Sequence, residues 1–288
     1  MIPTNSDRLI PALAILAILI GCLMRFTGLD QKVYWHDEAH TALRVSGNTT
    51  LEFAGAAFDD RLLSAAELLE YQHPRVDQGF GDSLRALMSR PEHGPLYYLL
   101  ARVGFLFTDD AKLATRGTAA LLSLLLLPAA AWFWRELFFE MPGHRRRGVW
   151  VLLALLALSP FQLVYAQEAR QYSLWAAMTL AACAALLRAR RRRDVPAWLT
   201  YALVLSIGLY THLMLAVLVP VHALWLAWVA PARLKAFAGA LLLAALAFSP
   251  WLLLFQGSLR EVGHVTDWMK VAIPFERLAN AWALHLVR

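Results

Sequence analysis

The run AFAGALLLAALAFSPWLLLFQ, residues 236–256, holds 21 consecutive residues without one charged side chain. A helix of that length covers about 30 Å, the thickness of a bilayer's hydrocarbon core. Similar apolar runs recur at 9–26, 117–134, 149–166, 171–187, 197–213 and 214–230, so seven candidate spans are expected. Leu and Ala follow one another without alternation, and lipid offers the backbone no hydrogen-bond partner, so helices are expected and barrel strands are not. Composition agrees: 59% of residues are hydrophobic, 17% are charged, and the mean hydropathy is +0.49, outside the soluble range. The expected fold is an all-α, polytopic transmembrane bundle, one membrane domain over residues 1–288. The first run is read as a retained anchor, because no Ala-x-Ala-like cleavage site follows Met24-Arg25-Phe26. Cys22 and Cys183 fall inside apolar runs and read as small buried hydrophobes, not as a disulfide or metal ligands.

Charge gives orientation. Arg145–Arg147, Arg188 with Arg190–Arg193, and Arg233 with Lys235 are separated by pairs of apolar runs, so all three clusters lie on one side, which the positive-inside rule makes cytoplasmic. Residues 27–94 carry eleven acids against six bases and belong on the other side. The overall charge of +6 therefore reflects arginines beside anionic lipid, with no nucleic-acid surface implied. Between the outer segment and Arg145 an odd number of crossings is required. Pro95 to Phe107 spans 13 residues, or roughly 20 Å of helix, which is too short to cross. A juxtamembrane or re-entrant helix is expected at 95–107.

The outer segment is about 68 residues long, and loops of that length are usually functional. Helix is expected over Asp37–Val45, and an amphipathic surface helix over Leu62–Leu69 with its apolar face on lipid. Five polar motifs fall on the outer side: His36-Asp37-Glu38; His93-Gly94-Pro95-Leu96-Tyr97-Tyr98; Arg116; the run from Ser159 to Leu174 containing Gln167-Glu168-Ala169-Arg170-Gln171-Tyr172; and Tyr210-Thr211-His212. That convergence implies one extracytoplasmic site.

In that order, these motifs resemble the protein O-mannosyltransferase-like branch of the C-type membrane glycosyltransferases, to which the aminoarabinose transferases that modify lipid A are related. The resemblance covers roughly residues 9–256 and implies a GT-C-like helical fold, a polyprenyl-phosphate-linked sugar donor, an extracytoplasmic acceptor (protein, lipid or glycan) and an outer-loop aspartate as base, here Asp37. It also implies a bacterial inner-membrane protein with its site on the outer face. Two departures stand out: Gly94 replaces a common second Pro, and the family's further spans and C-terminal domain are expected beyond this chain.

The chemistry fits the residue types. A phosphate leaving group needs charge stabilisation more than a general acid, so one base suffices, unlike the paired carboxylates of glycoside hydrolysis. Asp37 is expected to deprotonate or orient the acceptor nucleophile, with Glu38 supporting it or helping to hold a divalent cation. Arg170 and Arg116 are expected to clamp the phosphate with paired guanidinium donors. His93, His212 and Glu168 are further expected substrate contacts, and Tyr172 is expected to line the sugar pocket.

Simpler readings stand beside these. Asp37 and Glu38 also suit the first turn of a helix, where acids favour the N-terminal end. His36 and His40 have the i, i+4 spacing of a metal pair but lack a clear third ligand. Arg116 and Arg170 equally suit interfacial snorkelling. A transporter or flippase predicts duplicated halves and paired charges within spans, which the sequence does not display. A non-catalytic or truncated subunit that binds lipid-linked sugar is the third reading, and Val271–Val287 reads as the start of a further element.

Overall fold

A computed structural model describes residues 5–257 and 273–287; side chains at residues 5–8, 144–147, 255 and 285–287 lie outside the description, and so does the arginine cluster 145–147 on which part of the orientation rests. Among the described residues all regular structure is helical. The order is α1 (Asn5–Met24), α2 (His36–Ser46), α3 (Thr50–Ala57), α4 (Ala65–Glu70), α5 (Phe80–Met88), α6 (Leu96–Gly104), α7 (Ala111–Ser123) and α8 (Leu126–Leu137). It continues through α9 (Pro142–Leu158), α10 (Pro160–Ala166), α11 (Tyr172–Arg192), α12 (Val195–Thr211), α13 (Leu218–Val229), α14 (Leu234–Gly257) and α15 (Phe275–Val287).

Three stretches are long and apolar enough to cross a membrane: Ala111–Leu137 at 27 residues, Tyr172–Arg192 at 21, and Pro231–Leu254 at 24. A fourth, Gly148–Leu158 with Pro160–Ala166, is bent by 56°. The other three expected spans form shorter apolar helices, Leu9–Met24, Val195–Thr211 and Leu213–Val229. Of the seven expected spans, three stretches, or four with the bent pair, are thus long and apolar enough to cross among the described residues. The shorter helices end where caps and turns interrupt the apolar pattern: Asp194 accepts from the Ala197 N–H at 3.0 Å to open α12, and the His212 ring accepts from Met214 N–H at 3.1 Å just beyond its end.

The bend has a covalent cause. Pro160 has no N–H to offer the Leu156 carbonyl and forces Ser159 out of the helical region, to φ −58° and ψ 120°. Arg25 takes over the freed acceptors, donating to Leu156 O at 3.3 Å and Ala157 O at 2.8 Å. One arginine at the end of α1 thereby seals the broken end of α9 and binds the two helices together.

The bundle core is built from small residues. α11 buries Ala177, Ala181, Ala184, Ala185 and Ala189 against α8 and α12, where thin side chains let backbones approach, the main source of helix affinity in lipid. The segment between α1 and α7 is a helical cap rather than an open loop. α2 packs on α5, α6 and α7, and the nine-residue α6 is too short to cross, as expected for 95–107. Its Arg102 is buried and donates to the Gln78 and Ser46 carbonyls. The helix expected at 62–69 begins later, at Ala65, because the Ser64 hydroxyl and Glu67 carboxylate cap each other's backbone N–H groups there. Leu62 is left outside the helix and fully exposed.

Candidate functional site

The site is organised by α2. Trp35 lies in extended conformation at its N-terminus, and Gly47, at φ +97°, ends it in the left-handed region with its N–H returned to Arg44 O. Successive residues on a helix are rotated by about 100°, so Asp37 and Glu38 cannot address the same space. Glu38 points inward and is completely buried. Its carboxylate accepts from Arg116 Nε at 2.8 Å, Arg116 Nη2 at 2.6 Å and the Ala169 N–H at 2.7 Å, and reaches back to the Trp35 N–H at 3.4 Å.

Arg116, 1% exposed, is equally committed. Besides Glu38 it donates to the carbonyls of Leu29 at 2.6 Å, Lys32 at 3.1 Å and Val33 at 3.0 Å. All five N–H donors of the guanidinium are thereby used. This corrects two expectations. Arg116 has no donor left for a phosphate, and Glu38 has no lone pair left to support a cation beside Asp37. The pair is a buried clamp joining α2, α7, the chain leaving α1 and the turn before α11. The helix-start reading of the acidic pair holds for Glu38.

Arg170 shows the opposite condition. Only 5% exposed, it makes contacts at the outer limit of hydrogen bonding: Tyr98 Oη at 3.4 Å and Thr41 Oγ1 at 3.5 Å. Asp37 Oδ2 lies 3.8 Å from its Nη2, and Arg170 Nε has no partner at all. Asp37 itself is half-buried, with His36 Nδ1 3.4 Å from its other oxygen. The run around Arg170 explains its precision. Gln167 anchors the turn to Met24 O at 2.7 Å and Thr27 O at 2.9 Å, Ala169 is held by Glu38, and the Arg170 guanidinium lies 5.6 Å over the Tyr172 ring.

Around this ion pair the field is positive. Burial first, then the charges of Arg44, Arg170, His212 and His40, push the His93 imidazole down to about 2, so it is neutral at physiological pH. Burial and the Arg44 charge also lower His40, whose Nδ1 is buried without a partner. The His212 ring stacks on Trp175 at 4.6 Å. Because its Nδ1 accepts from Met214, the neutral ring carries its proton on Nε2. Gly94 holds the His93 loop against the end of α12, since a Cβ there would sit 2.4 Å from Tyr210 O.

A cavity of about 800 Å³ opens beside the ion pair, between α8, α9, α10 and α11. Its lining is mostly apolar, with Leu126, Leu156 and Leu180, and includes the aromatic rings of Trp35, Tyr165 and Tyr172. Tyr172 belongs to both regions, lining the cavity and carrying Arg170 over its ring. Glu168 also lines the cavity, and burial, followed by the Glu38 charge, raises its carboxyl above the usual range. Glu168, expected among the substrate contacts, thus lies in the cavity lining, where an acid repels a phosphate.

The structure thus gathers Asp37, Arg170, Tyr172, His93 and His212, and sets Glu38 and Arg116 aside as a support. The rings of His36 and His40 meet edge to face, centroids 4.5 Å apart, and line a separate pocket of about 480 Å³ with Phe53, Leu68 and Tyr71. Among the described residues no group of three or more His, Cys, Asp or Glu is assembled that could hold a metal ion. Thr41 and Arg44 were missed by motif reading, and Tyr98 lay in the His93–Tyr98 motif without an assigned role. Thr41 and Arg44 share a stripe with Asp37 at i+4 and i+7, a periodicity that could have found them. No family model matches the chain, and neither a curated protein nor a solved structure matches it.

Proposed function

We propose that this chain is a membrane glycosyltransferase that moves a sugar from a polyprenyl-phosphate donor to an extracytoplasmic acceptor. The observation that carries the reading is the junction at Tyr172, which lines an apolar cavity among membrane-length helices and carries over its ring a buried arginine with an unpartnered Nε, 3.8 Å from a half-buried aspartate. That arrangement suits a ligand with a long hydrocarbon tail, an anionic link and a reacting group beyond it.

In this reading the tail lies in the cavity and the phosphate is bound by Arg170. An acceptor hydroxyl or amine attacks the anomeric carbon while Asp37 takes its proton. The bond between that carbon and the phosphate oxygen breaks, its electron pair leaves on the polyprenyl phosphate, and the anomeric configuration inverts. Arg170 stabilises the negative charge that collects on the departing phosphate, the kind of preoriented electrostatic assistance that dominates many enzymatic rates. Glu168, whose carboxyl burial raises above the usual range, lines the cavity and would hydrogen-bond a sugar hydroxyl and not the anion. Tyr172 and Trp35 supply faces for the sugar ring at the cavity mouth.

Purified protein in liposomes with a panel of radiolabelled polyprenyl-phosphate sugars tests the reading. Label should pass to an acceptor with release of polyprenyl phosphate, and Arg170→Ala should abolish transfer. Donors that remain intact across the panel, with a range of acceptors present, would sink it.

A further inference from the structure

Arg44 is the cation that the account above leaves without a task. It lies on the buried side of α2, two turns beyond Asp37, and is 7% exposed. Its Nε is buried with no hydrogen-bond partner, and among the described residues no carboxylate lies within ion-pair distance of its guanidinium. Buried charges in proteins are almost always paired, because removing an ion from water costs several kcal/mol that only a counter-charge returns. Arg102 and Arg116, the other buried arginines nearby, follow that rule through carbonyls or a carboxylate.

The neighbourhood repeats the pattern. Arg170 Nε and His40 Nδ1 are likewise buried without partners. Arg170 reaches Thr41 Oγ1 at 3.5 Å and Asp37 Oδ2 at 3.8 Å, and Arg44 continues that stripe of α2 one and two turns on, so both guanidiniums address the same face of the helix; both charges also act on the part-buried His93. Arg90 adds its charge on the His40 side. The acid on that face is Asp37, held loosely by Arg170; Glu92, beside His93 in the chain, has one oxygen buried without a partner. Two buried guanidiniums on one face of α2 thus each keep an Nε donor without a protein partner.

We infer that Arg44, with His40, forms the second half of a phosphate socket opposite Arg170. This rests on the donor reading above and adds the residues that grip the phosphate from the α2 side. Two guanidiniums on opposite sides match the several oxygens of a phosphate mono- or diester better than a single carboxylate, and two arginines give one more donor fork than Arg170 alone supplies.

The experiment measures binding and needs no turnover. Full-length protein in detergent is titrated with geranylgeranyl phosphate, geranylgeraniol, inorganic phosphate or phosphatidylglycerol vesicles, and thermal unfolding and Kd are recorded for wild type, Arg44→Met, Arg44→Lys and the surface control Arg85→Ala. Geranylgeranyl phosphate should bind and stabilise the wild type, and geranylgeraniol should not. In Arg44→Met that affinity should fall at least about tenfold, the loss of a charge-assisted hydrogen bond. The ligand-free protein should melt higher in Arg44→Met than in wild type, because an unpaired buried charge has been removed. Arg44→Lys should recover part of the binding, and Arg85→Ala should match wild type. Equal response to inorganic phosphate would identify a free-ion site, and response to phosphatidylglycerol vesicles alone a membrane-lipid site; either overturns the donor assignment. Unchanged geranylgeranyl phosphate affinity in Arg44→Met, or a lower ligand-free melting temperature, would refute the socket. If binding follows Arg44 while no donor is ever turned over, the socket stands and the transferase reading fails.

Discussion

Replacing Arg116 by Ala separates a structural clamp from a substrate ligand. The change strands a fully buried Glu38 carboxylate and leaves it only the Ala169 and Trp35 N–H groups. Removing one partner of a buried ion pair costs about 3–5 kcal/mol. The carbonyls of Leu29, Lys32 and Val33 lose their donor as well, each worth roughly 1 kcal/mol where water does not replace it. Against a total stability of about 5–15 kcal/mol, this removes a large share. At about 2–4 °C per kcal/mol, loss of the ion pair alone should lower melting in detergent by roughly 6–20 °C, and the orphaned carbonyls should lower it further. Replacing both partners with Met should be much less harmful than the two single changes together, since an apolar pair leaves no orphaned charge. The assay is thermal unfolding by size-exclusion chromatography for wild type, both single variants and the double variant. An Arg116→Ala protein that melts like wild type but loses affinity for polyprenyl phosphate would refute the clamp and return Arg116 to the binding site.

Three further outcomes follow from the geometry. His93 is depressed to about 2 when folded and has an ordinary value near 6.5 when unfolded, so its contribution is fully present above pH 6.5 and is lost as pH falls from there toward 2. At pH 5 the loss is about 2 kcal/mol, and His93→Asn should flatten the fall in melting temperature between pH 7.5 and 5; an unchanged slope would contradict the burial and charge assigned to it. Gly94→Ala places a Cβ 2.4 Å from Tyr210 O, an overpacking against backbone that should cost about 1–3 kcal/mol, read as a lower melting temperature; a wild-type value would show that the loop does not press on α12. Ala176→Phe puts a ring into the apolar cavity and should raise KM for long-chain donors more than for short-chain ones, whereas equal effects on both would remove the tail from that cavity.

Much of the fold was legible because lipid imposes a length and a composition on anything that crosses it. Residues 117–134, 171–187 and 236–256 announced themselves that way, and their helices are among the long ones. The helix at 149–166 was legible as apolar but not as bent; Ser159-Pro160 was the signal, and hydropathy averaging passes over it. Lengths near 16 or 17 residues were harder, because caps at Asp194 and His212 are side-chain events that apolar averaging does not register.

At the site, motif order pointed to Asp37 and Arg170, which the structure brings together. The roles of Glu38 and Arg116 were not readable, because adjacent carboxylates and two arginines in similar motifs look alike until burial and partner count are known. Arg116 is separated from Glu38 by 78 positions, and no local pattern reports such a pairing. Arg44 was overlooked for a related reason: a lone arginine on a helix draws attention only when it is seen to be buried and unpaired.

The central claim is that Asp37 removes a proton from the acceptor while Arg170 holds the departing phosphate. Asp37→Asn keeps the shape and the contacts with His36 and Arg170 but cannot take that proton. With the active donor in liposomes, the variant should retain geranylgeranyl phosphate affinity within about threefold, less than one lost hydrogen bond, and lose transfer by at least about a hundredfold, the usual scale of a general base. Transfer near the wild-type rate, with binding intact, would contradict the account.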